Sequence, residues 1–462
     1  MEVLRCIFAC VAVLIALAEC TETQGNKLTL SVLYPVERIA FSNDWRRSTR
    51  RTVRRNAHAF VVLRLDGDRC AKIESSATNI TYYSAYPTTL QSQSSDGARA
   101  GIYYEALVPR NSVSCQLSPY VFVEWTPSHE GIVEFRAAGD VVDVEVVFNG
   151  EFTTPRRPFF VGSTNSYILA GHCDTYCARE AELGHKYAKM LTAHLIQPIQ
   201  NWVIFPPIRE GYLDLDHGSE KAFSFRNLVM NYSRSGLVGF PRARYYRDRV
   251  AYLEALEATV QREGLVGRAW VYVADEPNDL DALRRELLLY RRHAPSVLTM
   301  VTTVYDRSLA PLIDIFAPVI NRLGRSGQPG ADAYRGHRLW VYASCMGSCG
   351  PNRAGNPSVA RNPGPDTGLP DFLIDRPAER LFSFFRELDV LGAEAGFYYE
   401  ATEGYRLWRD GVNIFEDPWN FGGNGDGLLL YPGRPGELGL DEHQPIPTMR
   451  LKLIRHAIES YW

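Results

Sequence analysis

Apolar and polar residues alternate in short runs over the first third of the chain. The runs are Leu28 to Leu33, Ala59 to Leu65, Ile102 to Val108, Tyr120 to Trp125, Gly131 to Arg136 and Val141 to Phe148. Turn residues such as Asp66-Gly67-Asp68 and Asn149-Gly150 divide them. A period of two broken by turns predicts β-strands, and several at this spacing predict a β-sandwich over residues 26–155. The arginines Arg46, Arg47, Arg50, Arg51, Arg54 and Arg55 carry no interleaved aromatic or glycine pattern, so they read as a solvated loop and not as a polyanion site.

After Thr153-Thr154-Pro155 the texture changes. Buried-type apolar runs at Tyr167 to Ala170, Leu195 to Ile204, Phe225 to Met230, Ala269 to Ala274, Val297 to Val304, Ile313 to Pro318, Leu339 to Ala343 and Gly396 to Tyr399 predict strands. Amphipathic stretches at Ala178 to Ala193, Arg244 to Glu263, Leu280 to His293 and Ala378 to Leu391 predict helices between them. Strands alternating with helices in this number predict a (β/α)8 barrel over residues 156–430, with its active site at the C-terminal ends of the strands. A doubly wound open sheet competes, but no Gly-x-Gly-x-x-Gly follows the first strand. Residues 431–462 close the chain with a Pro/Gly-rich turn and a helical stripe, Met449, Leu451, Leu453, Ile454, Ala457, Ile458 and Tyr461, expected to pack on the barrel.

Composition narrows the function. The 50 Lys and Arg against 53 Asp and Glu give a net charge of -3, without the basic excess of a dedicated nucleic-acid binder. Aromatic residues make up 12%, including 25 Tyr and 8 Trp, enough to supply a stacking surface besides a core. Met1 to Gln24 reads as a secretory signal: Arg5, an apolar run from Ile7 to Leu17, and Ala16-Leu17-Ala18 as a cleavage site, placed between 18 and 25. No other stretch is long and apolar enough for a membrane span, so the expected location is extracellular or lumenal. Of the 9 cysteines, Cys70, Cys115, Cys173, Cys177, Cys345 and Cys349 remain if Cys20 is trimmed with the leader. An even set in an oxidising compartment predicts disulfides, Cys70 with Cys115 first among them. The rival is a zinc site of the two Cys-x-x-x-Cys pairs. Asn79-Ile80-Thr81 and Asn231-Tyr232-Ser233 are glycosylation acceptors.

The chemistry concentrates at Trp270-Val271-Tyr272-Val273-Ala274-Asp275-Glu276-Pro277, where an apolar strand runs into two adjacent carboxylates. At the end of a barrel strand Asp275 and Glu276 would lie at the mouth. Adjacent strand residues face opposite ways, so a bend at Glu276-Pro277 is needed to bring both into one pocket. Otherwise Asp275 caps the following helix and Glu276 is solvated. Neither a Gly-x-Ser-x-Gly elbow nor His-Glu-x-x-His competes, and no cofactor or metal is expected. Aromatics at strand ends, Tyr305, Trp340, Tyr342, Tyr398 and Tyr399, are candidates for stacking on sugar faces, with Trp340 and Tyr399 placed in the pocket. Glu400, ending the last strand, is a candidate hydroxyl ligand.

Asp275-Glu276-Pro277, Phe397-Tyr398-Tyr399-Glu400, the segment Asn424-Gly425-Asp426-Gly427-Leu428-Leu429-Leu430-Tyr431-Pro432-Gly433 and the run from Pro447 to Arg455 together resemble glycoside hydrolase family 123 and its DUF4091 relatives. The resemblance implies a β-N-acetylgalactosaminidase in which the 2-acetamido oxygen of the substrate attacks the anomeric carbon. Asp275 would orient that group and stabilise the oxazolinium-like intermediate, and Glu276 would serve as acid and then base. The expected partner is a glycan or glycoconjugate. Two alternatives stay open: a retaining glycosidase with Glu276 as acid and Glu400 as nucleophile, and a non-catalytic carbohydrate-binding surface protein.

Overall fold

The computed structural model describes residues 29–33, 45–67, 70–95, 98–111, 115–155, 157–172, 180–199, 204–218, 224–324, 328–344 and 368–461. Residues 1–28, which hold the expected leader, and Cys173, Cys177, Cys345 and Cys349 lie outside them.

Two sheets form the N-terminal sandwich. One has five antiparallel strands in the order Thr29–Leu33, Ala59–Asp66, Tyr120–Trp125, Thr81–Leu90 and Gly101–Arg110. The other has four, Ser48–Arg55, Asp140–Glu151, Gly131–Ala137 and Ile73–Ser75, with its first pair parallel. Val61, Leu63, Val121 and Val123 of one sheet meet Phe135, Val142, Val144 and Val146 of the other. Phe60, Val62, Tyr83 and Phe122, on the opposite face of the five-stranded sheet, join the core shared with the barrel. Burial on both faces explains why Ala59-Phe60-Val61-Val62-Leu63 is apolar without interruption. Four of the arginines, Arg50, Arg51, Arg54 and Arg55, lie on the edge strand Ser48–Arg55 and not in a loop, with Arg46 and Arg47 just before it. Pairing with the Asp140–Glu151 strand makes the strand regular, and acidic neighbours meet two of the arginines: Arg47 meets Asp140 at 2.5 Å and Arg50 meets Glu145 at 3.6 Å. Cys70 and Cys115 are disulfide-bonded across 45 residues. Asn79 and Asn231 are both exposed.

Eight parallel strands form the barrel: Phe159–Gly162, Ile196–Ile199, Val238–Phe240, Ala269–Asp275, Leu298–Thr302, Ile315–Phe316, Arg338–Ala343 and Ala395–Tyr398. Numbered along the chain, their order around the wall is 2-1-8-7-6-5-4-3, which leaves one seam between strands 2 and 3. The side chain of Gln197 bridges it. Its amide donates to Leu237 O at 2.6 Å and Ser233 Oγ at 3.0 Å, and its carbonyl accepts from Ser235 Oγ at 2.6 Å.

Two expected strands are misplaced. Tyr167–Ala170 lies inside the helix Asn165–His172, and the first strand is Phe159–Gly162. Phe225–Met230 opens as a helical turn because Ser224 caps it, accepting from Asn227 N, and the third strand is Val238–Phe240. Apolar runs this short carry no period that separates helix from strand.

The final helix, Met449–Tyr461, is buried on every side and not along one stripe. It lies between the five-stranded sheet and the helix Ala378–Val390, with His456 edge-on to Phe60 at 5.1 Å and to Phe382 at 6.0 Å. Its buried charges are paired. Lys452 donates to Tyr83 Oη and Glu124 Oε2, both at 2.9 Å, and Glu459 accepts from His58 N at 3.0 Å. Arg450 Nε meets Glu105 Oε1 at 2.6 Å, and its Nη1 donates to Phe372 O at 2.6 Å and Gly425 O at 2.8 Å.

Arg450→Met is expected to cost about 3–5 kcal/mol, because it leaves Glu105 buried and uncompensated. Adding Glu105→Gln should recover part of that loss. Thermal unfolding midpoints of the two variants check both statements.

Candidate active site

The fourth strand resolves how two neighbouring carboxylates reach one mouth. Trp270 and Tyr272 face the barrel interior, while Val271 and Val273 face the surrounding helices. Strict alternation would turn Ala274 inward and Asp275 outward. The pairing with the fifth strand slips here, however: Tyr272 is opposite Met300, Ala274 opposite Val301 and Asp275 opposite Thr302. One extra residue therefore sits in the fourth strand, a β-bulge that restores Asp275 to the inward face opposite Thr302. Glu276 follows with φ of 40°, in the left-handed region, so the chain turns back toward the same mouth. The bend is thus a bulge followed by a left-handed residue.

Each carboxylate has its own tyrosine. Tyr272 donates to Asp275 Oδ1 at 2.5 Å, and Tyr342 of the seventh strand donates to Glu276 Oε1. Burial, then the carboxylate beside it, pushes each of these hydroxyls well above its ordinary pKa, so both stay protonated as donors. Both rings stand edge-on to Phe397, at 6.5 and 6.0 Å. Thr302 ties the pair together: its hydroxyl accepts from Glu276 N at 2.8 Å and lies 3.2 Å from Asp275 Oδ1 and 3.0 Å from Tyr272 Oη. Arg242, buried after the third strand, stacks over Tyr272 at 4.3 Å. A cleft opens there between Phe205, Phe240, Arg242, Tyr245, Trp270 and Tyr272. The helix cap is Asp279, whose side chain accepts from Ala282 N at 2.8 Å, which leaves Asp275 for the mouth.

The remaining candidates divide. Tyr342 joins the site through Glu276. Trp340 does not line an open pocket: it is fully buried in the barrel interior, stacked on Phe160 at 4.6 Å and edge-on to Trp270 at 5.1 Å, because its position on the strand is one layer deeper than Tyr342. Tyr305 packs against Phe316 at 5.6 Å and Tyr334 at 5.8 Å, in the outer core. Tyr398 donates to Asp426 Oδ1 at 2.9 Å, and Tyr399 packs on Tyr398 at 5.3 Å and Phe421 at 6.0 Å.

Glu400 is buried, and its oxygens accept from Thr164 N and Oγ1, Ala401 N, and Thr402 N and Oγ1. That shell binds the chain at the end of the eighth strand and leaves the carboxylate poorly placed to act as a nucleophile or a substrate ligand. Tyr272, Thr302 and Arg242 went unnoticed in the sequence. Tyr272 precedes Asp275 by three residues, but only the bulge turns both inward. Among the described residues no group of three His, Cys, Asp or Glu side chains could hold a metal ion, and no helix is long and apolar enough to cross a membrane.

No protein-family model and no curated protein matches the sequence. Among solved structures, a family 123 glycoside hydrolase from Clostridium perfringens, described in a study of glycolipid glycan hydrolysis, superposes with a TM-score of 0.64. The match covers 94% of this chain and 87% of that one at 10% identity. A match to Bacteroides thetaiotamicron EndoBT-3987, solved with a Man5GlcNAc product, covers 87% of this chain and 97% of that one at 9% identity, with a TM-score of only 0.24. The chain therefore shares its fold, a barrel behind an N-terminal sandwich, with a family 123 glycoside hydrolase.

Glu403, five residues past the eighth strand, has its carboxyl pushed up to about 8 by burial and by the charge of Glu400, against an opposing pull from Arg406. An acid with a raised folded-state pKa contributes stability that is fully present below its ordinary 4.5 and is lost as pH rises through about 8. The unfolding midpoint should fall across that window, and Glu403→Gln should flatten the fall between pH 6 and 8.5. An unchanged slope in the variant would assign the loss to other groups.

Proposed function

We propose that the protein is a secreted glycoside hydrolase that removes β-linked 2-acetamido sugars, with GalNAc favoured, by substrate-assisted retaining catalysis. The observation that carries the reading is the Asp275–Glu276 pair, turned into one barrel mouth by the bulge and the left-handed Glu276. The leader-like N-terminus and the Cys70–Cys115 disulfide support an extracellular location.

In this mechanism the acetamido oxygen of the bound sugar attacks C1 while Glu276 gives its proton to the departing glycosidic oxygen. Asp275, held by Tyr272 and Thr302, orients the acetamido N–H and balances the positive charge that spreads over the oxazolinium-like ring. Glu276, now ionised, then draws a proton from the water that opens this intermediate at C1, and configuration is retained. The neighbouring acetamido group acts at an effective concentration that no external nucleophile matches. Substrate assistance leaves no role for a second protein carboxylate as nucleophile, consistent with the enclosed position of Glu400.

Side-by-side assays of chromogenic β-GalNAc, β-GlcNAc and β-galactoside substrates test the reading. The two acetamido sugars should be cleaved and the galactoside poorly or not at all, and a thiazoline mimic of the intermediate should inhibit. Glu276→Gln should lose about 10²- to 10⁴-fold on poor leaving groups while sparing activated ones. Asp275→Asn should slow both by orders of magnitude. Equal turnover of galactoside and acetamido sugar, with Glu400→Ala as the inactivating change, would establish the two-carboxylate mechanism instead.

A further inference from the structure

The two carboxylates are held differently. Asp275 is held by Tyr272 of its own strand and Thr302 of the next, whereas the Glu276 carboxylate accepts from across the barrel, from Tyr342 on the seventh strand. The Tyr342 ring is buried and set against Phe397, so its hydroxyl has little freedom to swing away. A fixed donor on Oε1 makes that oxygen an acceptor in both protonation states of the acid. The transferable proton is then confined to Oε2.

We infer that Tyr342 is the positioning residue of the acid: it assigns the proton to Oε2 of Glu276 and takes up part of the charge on Oε1 once that proton has left. The inference rests on the reading of Glu276 as the acid. In the step itself the proton passes from Oε2 to the glycosidic oxygen as the C1–O bond breaks. The electron pair of that bond leaves with the oxygen, the acetamido oxygen bonds to C1, and Glu276 becomes a carboxylate that accepts from Tyr342. A hydrogen bond to the ionised form favours ionisation, so Tyr342 eases proton release without touching the sugar.

Other charged and titratable groups stand near the same carboxyl. Asp275 is the adjacent carboxylate, and Arg242 lies over the Tyr272 ring at 4.3 Å. Tyr272 and Thr302 are engaged with Asp275 and the Glu276 backbone. All of these stay in place in Tyr342→Phe, which retains the ring and removes only the donor.

With the donor gone Glu276 should hold its proton more tightly. Because the acid must be protonated to act, the alkaline limb of the kcat/KM profile should move up by about one pH unit. On substrates with poor leaving groups kcat should fall roughly tenfold at the optimum, with KM little changed. A uniform loss at every pH with the limb in place would make Tyr342 merely structural, and a rise in KM at constant kcat would make it a sugar ligand. Either result overturns the inference.

A titration without substrate separates it from the proposed function. In protein carrying 13C-carboxyl glutamate, the Glu276 resonance is identified by its loss in Glu276→Gln, and its midpoint should rise in Tyr342→Phe. A raised midpoint in a protein that cleaves none of the glycosides would uphold the coupling and reject the function. Cleavage with an unmoved midpoint would do the reverse.

Discussion

The rest of the structure leans on one buried guanidinium. Arg450, at the start of the final helix, pairs with Glu105 of the sandwich and donates to the carbonyls of Phe372, Gly425 and Leu428. A charge in such surroundings is tolerable only when its donors are matched, and here a carboxylate and three carbonyls match them. These contacts fix the Asn424–Gly427 loop, in which Gly425 and Gly427 take φ of 76° and 70°. A Cβ at Gly425 would stand 2.7 Å from Ile374, and one at Gly427 would stand 2.4 Å from the Tyr399 hydroxyl. Asn424 meanwhile holds Ser92 O at 2.7 Å and Asp375 at 3.0 Å, stitching the sandwich to the barrel. One of the segments that carry the resemblance is thus a clamp behind the eighth strand.

The same logic runs along the final helix. Lys452 and Arg455 share Glu124, and Glu459 holds His58, so a helix with four charged residues on its surface can be buried all round. A desolvated ion pair adds little net stability over an apolar pair, but it is costly to break, and so it fixes how the sandwich, helix and barrel fit together. Rigid docking of that kind suits a barrel whose mouth must hold two carboxylates within a fraction of an ångström.

At the mouth, precision comes from an irregularity. An undisturbed fourth strand would have turned Ala274 inward and Asp275 outward. The bulge and the left-handed Glu276 hold a strained backbone, and Thr302, Tyr272 and Tyr342 hold the strained arrangement in place with hydrogen bonds from three strands. Trp340 and Trp270 beneath them fill the interior and support the tyrosines from below.

By itself the sequence determined the class of fold and the fourth strand with its carboxylate pair, because each is written in local pattern: period two, apolar runs between amphipathic helices, adjacent acids at a strand end. The Cys70–Cys115 pairing was expected from the even cysteine count and not from local pattern. The helix Leu280–His293 was legible to the residue, since its amphipathic period is a local signal, whereas its cap, Asp279, was not read from the sequence. Tertiary structure alone decided what each long-range neighbour does. Whether Phe159–Gly162 or Tyr167–Ala170 opens the barrel depends on which run finds a parallel partner, and Trp340 and Tyr342, two residues apart, differ only in their depth within the barrel. Glu400 became an enclosed anchor through Thr164, 236 residues away. Thr302 became the hinge of the site through a register slip that no single strand encodes, because a bulge exists only between two strands.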